Sequence, residues 1–274
     1  MVDLEFKYGS IINKLKDEKP FNPDMAIILG SGLGDFAHSI DLKKSIYTKS
    51  LPDFPRSTIE GHEGIIHFAE YSGKKLLLFQ GRIHFYEGYS IYECVLPVFL
   101  AHSLRCKYII ITNAAGGINI NFKPGDLMLA NSLISFNIKK ELTNLIGLAD
   151  YRVKTNMHNF PSRLLNKIIV QAALNQKISL MEGVYWYSKG PSYETKAEIK
   201  MINKFKADAV GMSTSHEAVF ASCLGMETSV ISCITNYAAG IINKKLSHSE
   251  VTETANLVKT KFENLLKSTI SLIE

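Results

Sequence analysis

KKLLLFQGRIHFYEGYS, residues 74–90, joins a continuous apolar run to an unusual polar segment. The run Leu76–Phe79 has the uniform apolarity of a strand that is buried on both faces, as in parallel sheets. Arg82, His84 and Tyr86 then stand at every second position, so on an extended chain they share one face. A cation, an imidazole and a phenol at the end of a buried strand indicate a binding site.

The same organisation repeats along the chain. Strand-length apolar runs occur in MAIILGSG (25–32), KYIIITNAAGG (107–117), GDLMLANSLI (125–134), EGVYWYS (182–188), DAVGMS (208–213) and ETSVISCITN (227–236). Helical periodicity marks the segments between them, at Ser90–Leu104, Ser162–Leu174, Thr195 to about Phe205, His216–Leu224, and Ser249 to the end. This alternation predicts an α/β fold: a single domain, residues 1–274, with a central mixed, mostly parallel β-sheet flanked by helices.

Two further features refine the predicted fold. Thr195 and Glu198 form a capping-box pattern, which predicts a helix beginning there. The segment from about Phe136 to Asn159 has weak periodicity, and we expect it to be a surface excursion.

Composition excludes several classes of protein. The 274 residues are 46% hydrophobic and 21% charged, as in ordinary soluble domains. The net charge is +5, but the lysines are scattered, so no nucleic-acid partner is expected. No apolar run reaches the ~20 residues of a membrane span, and no signal peptide is visible. The four cysteines lie in apolar runs without paired spacing, which favours reduced thiols and a cytoplasmic protein.

Glycines and small polar residues follow several predicted strands. They form GSGLGD (30–35), NAAGG (113–117), GMST (211–214) and TNYAAG (235–240). In open α/β sheets, ligands bind beyond the carboxyl ends of the strands. Because glycine lets backbone N–H groups approach an anion closely, these strand ends predict an anion-binding cleft.

GSGLGD resembles a dinucleotide-binding fingerprint only in part. Asp35 stands where the third glycine of G-x-G-x-x-G should be, and no clear βαβ unit with a ribose-binding acid follows. A serine between glycines at a strand end suits a single phosphate better, while a plain tight turn is the alternative.

The polar residues after the run at 76–79 fit the same ligand. Arg82 carries a permanent charge and can bind phosphate oxygens in bidentate fashion. His84, on the same face, can donate to the same anion, and Tyr86 offers a ring to a neighbouring sugar. The alternative for His84 is a hydrogen-bonded core histidine.

Seven blocks of the sequence together resemble a known family. They are GSGLGD, FPRSTIEGHEG, QGRIHFYEGY, TNAAGGIN, GPSYETKAEI, DAVGMST and ITNYAAG, in order from about Met25 to His248. They are similar to the purine nucleoside phosphorylases of the trimeric, 6-oxopurine-cleaving type, especially the bacterial ones. The resemblance implies the nucleoside phosphorylase fold and phosphorolysis of inosine and guanosine in purine salvage. It also implies a homotrimer, phosphate as a co-substrate, and no cofactor or metal.

The resemblance also implies roles for individual residues. The implied phosphate site consists of Ser31, His62, Arg82, His84, the backbone N–H of Ala114, and Ser213. The implied nucleoside site places Tyr86 and Met212 at the ribose, His248 at the 5′-hydroxyl, Tyr193 and Val210 on the base, Glu194 at N1–H and Asn236 at N7. Asn236, His84 and Glu194 are the implied catalytic residues. Asn236 would stabilise negative charge that develops on the purine only in the transition state.

The sequence departs from the family in two places. Ser215-His216-Glu217 stands where Val-Pro-Glu is usual. This difference either alters how Ser213 is held in place or is a neutral change at the start of a helix, where Ser is a good cap. Between Phe136 and Phe160 the usual Asn-Pro-Leu loop and RFP motif are missing. The pair Phe160-Pro161 is a candidate for the motif that brings an aromatic ring into the neighbouring subunit's site.

Three other functions remain as alternatives. A methylthioadenosine phosphorylase would read a 6-amino group with acids where this chain has Asn236. A nucleoside-binding protein without turnover would not need Arg82 and His84. A dinucleotide-dependent dehydrogenase rests on GSGLGD alone.

Overall fold

The computed structural model describes residues 2–59, 63–147, 151–242 and 249–274. Within these residues nine strands join in one sheet, in the order β2-β3-β4-β1-β5-β8-β7-β6-β9. In chain order they are β1 (Met25–Leu29), β2 (Asp41–Tyr47), β3 (Ile65–Tyr71), β4 (Lys74–Gln80), β5 (Tyr108–Gly117), β6 (Leu127–Ile134), β7 (Leu180–Tyr187), β8 (Ala209–Gly211) and β9 (Glu227–Tyr237).

Helices cover both faces of this sheet. They are α1 (Val2–Glu18), α2 (Ile91–Cys94), α3 (Leu96–Ser103), α4 (Lys139–Ile146), α5 (Tyr151–Asn156), α6 (Arg163–Asn175), α7 (Lys196–Lys204), α8 (Ser215–Cys223) and α9 (Ser249–Leu272). None of the helices in the described ranges is long and apolar enough to cross a bilayer.

The sheet is mixed, with parallel pairing at its centre. β1 lies between β4 and β5 and is parallel to both, and β5 is parallel to β9. β2 and β3 form an antiparallel edge beside β4. β1 is buried along its whole length, as its continuous apolar sequence predicts. The predicted fold class, α/β with a mixed, mostly parallel sheet flanked by helices, is confirmed.

The second half of the sheet curls back on itself. β5 pairs with β8 on one side and with β9 on the other. From β8 the neighbouring strands are β7, β6 and β9 in turn, so the order of strands returns to β5. The register of β5 against β9 shifts between Ala115 and Gly116, which leaves Thr235 of β9 as an extra, unpaired residue and bends β9 there. The carboxyl ends of β5, β8 and β9 are thereby brought together.

The two larger of three apolar clusters among the described residues hold the layers together. On one face of the sheet, Leu15 of α1, Phe99 of α3 and Phe220 of α8 belong to a single buried cluster. On the other face, Ile169 of α6 and Phe262 of α9 belong to a second cluster. The sheet is therefore fixed from both sides, and the strand ends project from a rigid support.

Several helix boundaries follow from their sequence signals. The Thr195 hydroxyl accepts a hydrogen bond from the Glu198 backbone N–H, and the Glu198 carboxylate accepts one from Thr195 in return. Ser162 caps α6 in the same way, by accepting from Leu165. The helix predicted from Ser90 is instead divided into α2 and α3, because Pro97 is tolerated in the first turn of α3 but not in the interior of one continuous helix.

The segment from Phe136 to Asn159 is only in part the surface excursion that the sequence predicts. It forms a 3-10 turn at Phe136–Ile138, then α4, α5 and a second 3-10 turn at Met157–Asn159. Leu142, Leu145 and Ile146 of α4 are buried, so this segment packs on the core rather than only covering the surface. Its helices are short, which explains the weak periodicity.

The chain after β1 does not form a dinucleotide-binding unit. GSGLGD leads into a 3-10 helix, Gly34–Ser39, and then into β2, which pairs antiparallel with β3. A long helix followed by a parallel strand, which the dehydrogenase alternative requires, is not found in this described segment.

Candidate active site

One cavity of about 610 Å³ opens at the carboxyl ends of the strands. Predicted site residues that line it are Ser31, Arg82, His84, Tyr86, Ala114, Tyr193, Glu194, Val210, Met212, Ser213 and Asn236. These residues are as much as two hundred positions apart in sequence, and the sheet brings them together. His62 and His248 lie outside the described residues. The roles of all thirteen stay predictions.

Arg82 is held from behind by a buried carboxylate. Its Nε donates to both carboxylate oxygens of Glu217, at 3.1 and 3.0 Å. The side chains of Arg82 and Glu217 are 1% and 0% exposed. Since α8 begins directly after the GMST segment, its first turn delivers Glu217 to the guanidinium. The pair fixes the direction of Arg82 in a site that excludes water.

His216 lies beside this ion pair as a neutral core residue. Burial first, and then the positive charges of Arg82 and His84, lower the pKa of His216 to about 3. Its ring meets Tyr187 edge-on, with centroids 5.6 Å apart. Neither ring nitrogen has a hydrogen-bond partner in the described part of the chain. Ser215 and His216 are therefore buried and are not among the residues that line the cavity.

His84 is oriented by Glu87, which lies three residues further on. Glu87 Oε1 accepts from the His84 backbone N–H at 2.8 Å and lies 3.1 Å from the ring Nδ1. The backbone N–H and the hydroxyl of Thr58 donate to its other oxygen. Burial alone would raise the pKa of this carboxyl, but the hydrogen bonds from His84 and Thr58 outweigh it and hold the pKa at about 2. Glu87 thus stays ionised and fixes the orientation of the His84 ring through these contacts.

We expect Glu87→Gln to remove part of the acid sensitivity of the fold. The carboxyl has a pKa of about 2 in the folded protein against its ordinary 4.5, so the unfolded chain binds the proton more readily. Its stabilisation is complete above about pH 4.5 and is lost as the pH falls towards 2. Chemical unfolding of both proteins between pH 3 and 6 should show a flatter stability profile for the variant. An identical slope in both would contradict the assigned hydrogen bonds.

Tyr86 lies against His84, although the chain is not extended there. The expected alternation ends at Phe85–Glu87, which forms a 3-10 turn capped by His84. The two rings nevertheless stack, 4.8 Å apart and at 21°. Burial, followed by the negative charge of Glu87, raises the pKa of Tyr86 to about 12, so its hydroxyl stays protonated. Tyr86 therefore presents an uncharged ring and a donor to the cavity.

The GMST segment holds Ser213 at the floor of the cavity. Thr214 has a φ of 74°, a left-handed conformation that is strained for a β-branched residue. Asn113 of β5 donates to the Thr214 hydroxyl at 3.0 Å, and the Ser213 and Thr214 hydroxyls are 3.1 Å apart. Strain of this kind persists only where the surroundings enforce it, and it is concentrated at binding sites.

Asn236 is oriented by its neighbours at the end of β9. The Thr235 hydroxyl donates to Asn236 Oδ1 at 2.9 Å, and Nδ2 donates to the Tyr237 carbonyl at 3.0 Å. Thr254 of α9 donates in turn to the Thr235 carbonyl, which anchors the strand end. The amide keeps one further N–H for a ligand, because Nδ2 carries two hydrogens.

The loop at 188–194 contributes Pro191, Tyr193 and Glu194 to the lining of the cavity. Glu194 Oε1 is buried and has no hydrogen-bond partner among the described residues. A buried acceptor without a partner is unfavourable, so this oxygen is suited to a donor on a ligand. Tyr193 lies beside it and is 45% exposed. Asn236 and Glu194 thus offer a donor and an acceptor to one flat ligand.

Sequence reasoning missed three orienting residues: Glu87, Glu217 and Thr235. Glu87 and Thr235 are close in sequence to the residues that they orient, so spacing alone contains a signal for them. Glu217 pairs with Arg82 across 135 positions, and no local pattern indicates that contact. The cavity also includes Thr58, Ile59, Pro191, Ala238 and Ala239, which were not predicted.

Similarity to known proteins agrees with this geometry. The phosphorylase superfamily matches residues 24–271. Purine nucleoside phosphorylase 1 of Geobacillus stearothermophilus is 41% identical over 260 residues, 93% of each chain. The structure of isoform 2 of the Schistosoma mansoni enzyme, in complex with cytosine and ribose-1-phosphate, has a TM-score of 0.88 at 30% identity, covering 98% of this chain and 97% of that one.

A second Schistosoma mansoni purine nucleoside phosphorylase structure, in complex with inosine, has a TM-score of 0.86 at 28% identity and covers 100% of this chain and 97% of that one. Fold and sequence thus agree over nearly the whole length, and the chain belongs to the purine nucleoside phosphorylases of the phosphorylase superfamily.

Proposed function

We propose that this protein cleaves purine nucleosides and 2′-deoxynucleosides, chiefly inosine and guanosine, by phosphorolysis. The products are the free purine and ribose 1-phosphate or its 2-deoxy form, as in purine salvage. The observation that carries the proposal is one cavity lined by the buried Arg82 and His84 together with Glu194 and Asn236. We assign the first pair to an anion end of the cavity and the second pair to a base end. A related structure contains inosine and another contains ribose-1-phosphate, which supports both halves of the reaction.

The anion end of the cavity suits inorganic phosphate. Arg82 supplies a fixed charge, and His84 in its protonated form donates to Glu87 from Nδ1 and to the anion from Nε2. Ser31, Ser213 and the backbone N–H of Ala114 add neutral donors. Since Glu217 balances the charge of Arg82, the site remains folded before phosphate binds.

The other end suits a 6-oxopurine. Glu194 Oε1 accepts from N1–H, a hydrogen that adenosine lacks. Asn236 donates to N7 through the remaining hydrogen of Nδ2. Val210 and Tyr193 contact the flat faces of the base, and Tyr86 and Met212 contact the ribose.

The reaction then needs no group beyond its two substrates. A phosphate oxygen forms a bond to C1′ while the bond between C1′ and the purine nitrogen breaks, and its electrons pass to the purine. The proton carried by hydrogen phosphate ends on the released base, so charge and atoms balance. Asn236 stabilises the negative charge at N7 as it develops, which lowers the barrier selectively.

The absorbance change on release of hypoxanthine tests this function. The protein is incubated with inosine in the presence and absence of phosphate. We expect release that depends on phosphate and is faster for inosine than for adenosine. Release in both conditions would indicate a hydrolase, and release in neither would favour a binding protein without turnover.

We also propose a homotrimer in the cytoplasm. Phe136 and Phe205 are 51% and 54% exposed and pack on Trp186, which leaves an apolar surface that a second copy would cover. Phe160 packs against the core of its own chain, so the candidate motif Phe160-Pro161 gains no support from this structure. Sedimentation showing a stable, active monomer would contradict the trimer.

A further inference from the structure

We call the loop at 188–194 the base wall, because it carries Tyr193 and Glu194, and we call Tyr86 and Met212 the ribose wall. The base wall is attached at both ends, and between its ends it packs against the ribose wall. The Ser188 backbone N–H donates to the Gly211 carbonyl at 2.9 Å, and Thr195 begins α7. Between these points, Gly190 has a φ of 69°, and a Cβ there would lie 2.6 Å from Met212 Sδ and 3.1 Å from Tyr86 Cδ1. Any shift of this loop is therefore transmitted to Met212 and Tyr86.

Lys189 connects this loop to two other elements. Its Nζ lies 2.7 Å from Glu141 Oε1 in α4 and 5.4 Å from the centre of the Phe85 ring. Phe85 immediately precedes Tyr86, so one ammonium group joins the base wall, the ribose wall and α4. Lys189 is not among the residues that line the cavity, so its contacts act on the site only through its neighbours.

The Glu141 end of this contact is firmly anchored. The side chain of Glu141 is 18% exposed and that of Lys189 is 42% exposed, so water screens the pair incompletely. The buried Leu142, Leu145 and Ile146 fix α4 to the core. Burial would raise the pKa of Glu141, but the hydrogen bond from Lys189 outweighs it, and the pKa lies below its ordinary value.

We propose that Lys189 is a positioning residue that sets the spacing between the base wall and the ribose wall, through Glu141 and Phe85. This inference rests on the proposed function, because the wall that it positions carries Tyr193 and Glu194. It assigns to Lys189 an effect on nucleoside and purine binding that exceeds any effect on phosphate binding, because Arg82 is held separately, by Glu217 of α8.

Calorimetry with hypoxanthine and steady-state kinetics test this role together. Lys189→Met should raise the Kd for hypoxanthine and the KM for inosine about three- to tenfold, the size expected for a partly buried charged contact. The KM for phosphate should change less than twofold. In Lys189→Arg all three constants, the Kd for hypoxanthine and the KM values for inosine and phosphate, should stay within twofold of the wild type, because the substitution keeps the charge. The double variant Lys189→Met with Glu141→Gln should raise the Kd for hypoxanthine and the KM for inosine no further than Lys189→Met alone, because both substitutions remove the same contact.

Lys204→Met provides the matched control, since Lys204 is an exposed lysine at the end of α7. It should leave all three constants unchanged. A folded Lys189→Met variant with wild-type hypoxanthine affinity overturns the proposal, and so does an equal rise in the KM for phosphate. If the wild type binds hypoxanthine without cleaving inosine, the proposed function fails, while the hypoxanthine Kd values still decide the role of Lys189.

Discussion

Arg82→Ala should lower kcat/KM for phosphate about 10²- to 10³-fold, equivalent to roughly 3–4 kcal/mol. In the proposed function the guanidinium supplies a permanent positive charge to phosphate, and this charge-assisted contact would be lost with it. The same change should destabilise the fold by about 3–5 kcal/mol, because Glu217 is left as a buried charge without its partner. Phosphate kinetics and urea unfolding measure the two effects separately.

A double variant distinguishes binding from stability. Arg82→Met with Glu217→Leu removes both charges, so most of the stability should return while the use of phosphate stays impaired. Arg163→Ala is the matched control, because Arg163 is exposed at the start of α6. A near-normal KM for phosphate in Arg82→Ala, together with a collapse of Tm, would mean that Arg82 has a structural role only.

Asn236→Asp should reduce turnover of inosine about 10²- to 10³-fold. An ionised aspartate offers acceptors only, so it repels N7 and O6 of the base as negative charge develops there. The carboxylate would also face the Tyr237 carbonyl, to which Asn236 Nδ2 now donates. This contact favours the protonated acid, which regains one donor for N7 and one acceptor for a 6-amino group. Cleavage of adenosine should therefore improve relative to that of inosine.

The measurement is kcat/KM for inosine and adenosine in both proteins. Asn203→Asp is the control, because it makes the same chemical change at an exposed position of α7. If the ratio of kcat/KM for inosine to kcat/KM for adenosine is unchanged in a folded Asn236→Asp variant, Asn236 does not contact the 6-position of the base. The proposed orientation of the base is then wrong.

The sequence predicts the central part of the sheet well, for a physical reason. β1, β4, β5 and β9 are buried on both faces, so their apolar runs are continuous and distinct. The glycines and polar residues at their carboxyl ends predict the cleft. The helix α1 and the antiparallel strands β2 and β3 were not predicted, since β2 mixes exposed and partly buried residues and lacks such a run.

Contacts between segments that are far apart in the chain explain which features of the site the sequence does not predict. Glu217 orients Arg82 because α8 returns to the end of β4, and only the folded chain reveals that approach. Lys189 and Glu141 meet across 48 positions through the packing of α4, a segment whose pattern indicated only surface. Residue types at strand ends predict which groups bind, whereas their orientation depends on the packing of helices behind them.

Phosphorus NMR of the reaction mixture tests the central claim most directly. The protein is given inosine and a limiting amount of inorganic phosphate, and the phosphorus signal is followed while released hypoxanthine is quantified. The account predicts that the inorganic phosphate signal is replaced by that of ribose 1-phosphate, with one hypoxanthine released for each phosphate consumed. Release of hypoxanthine while the inorganic phosphate signal stays constant would contradict it, because water and not phosphate would then attack C1′.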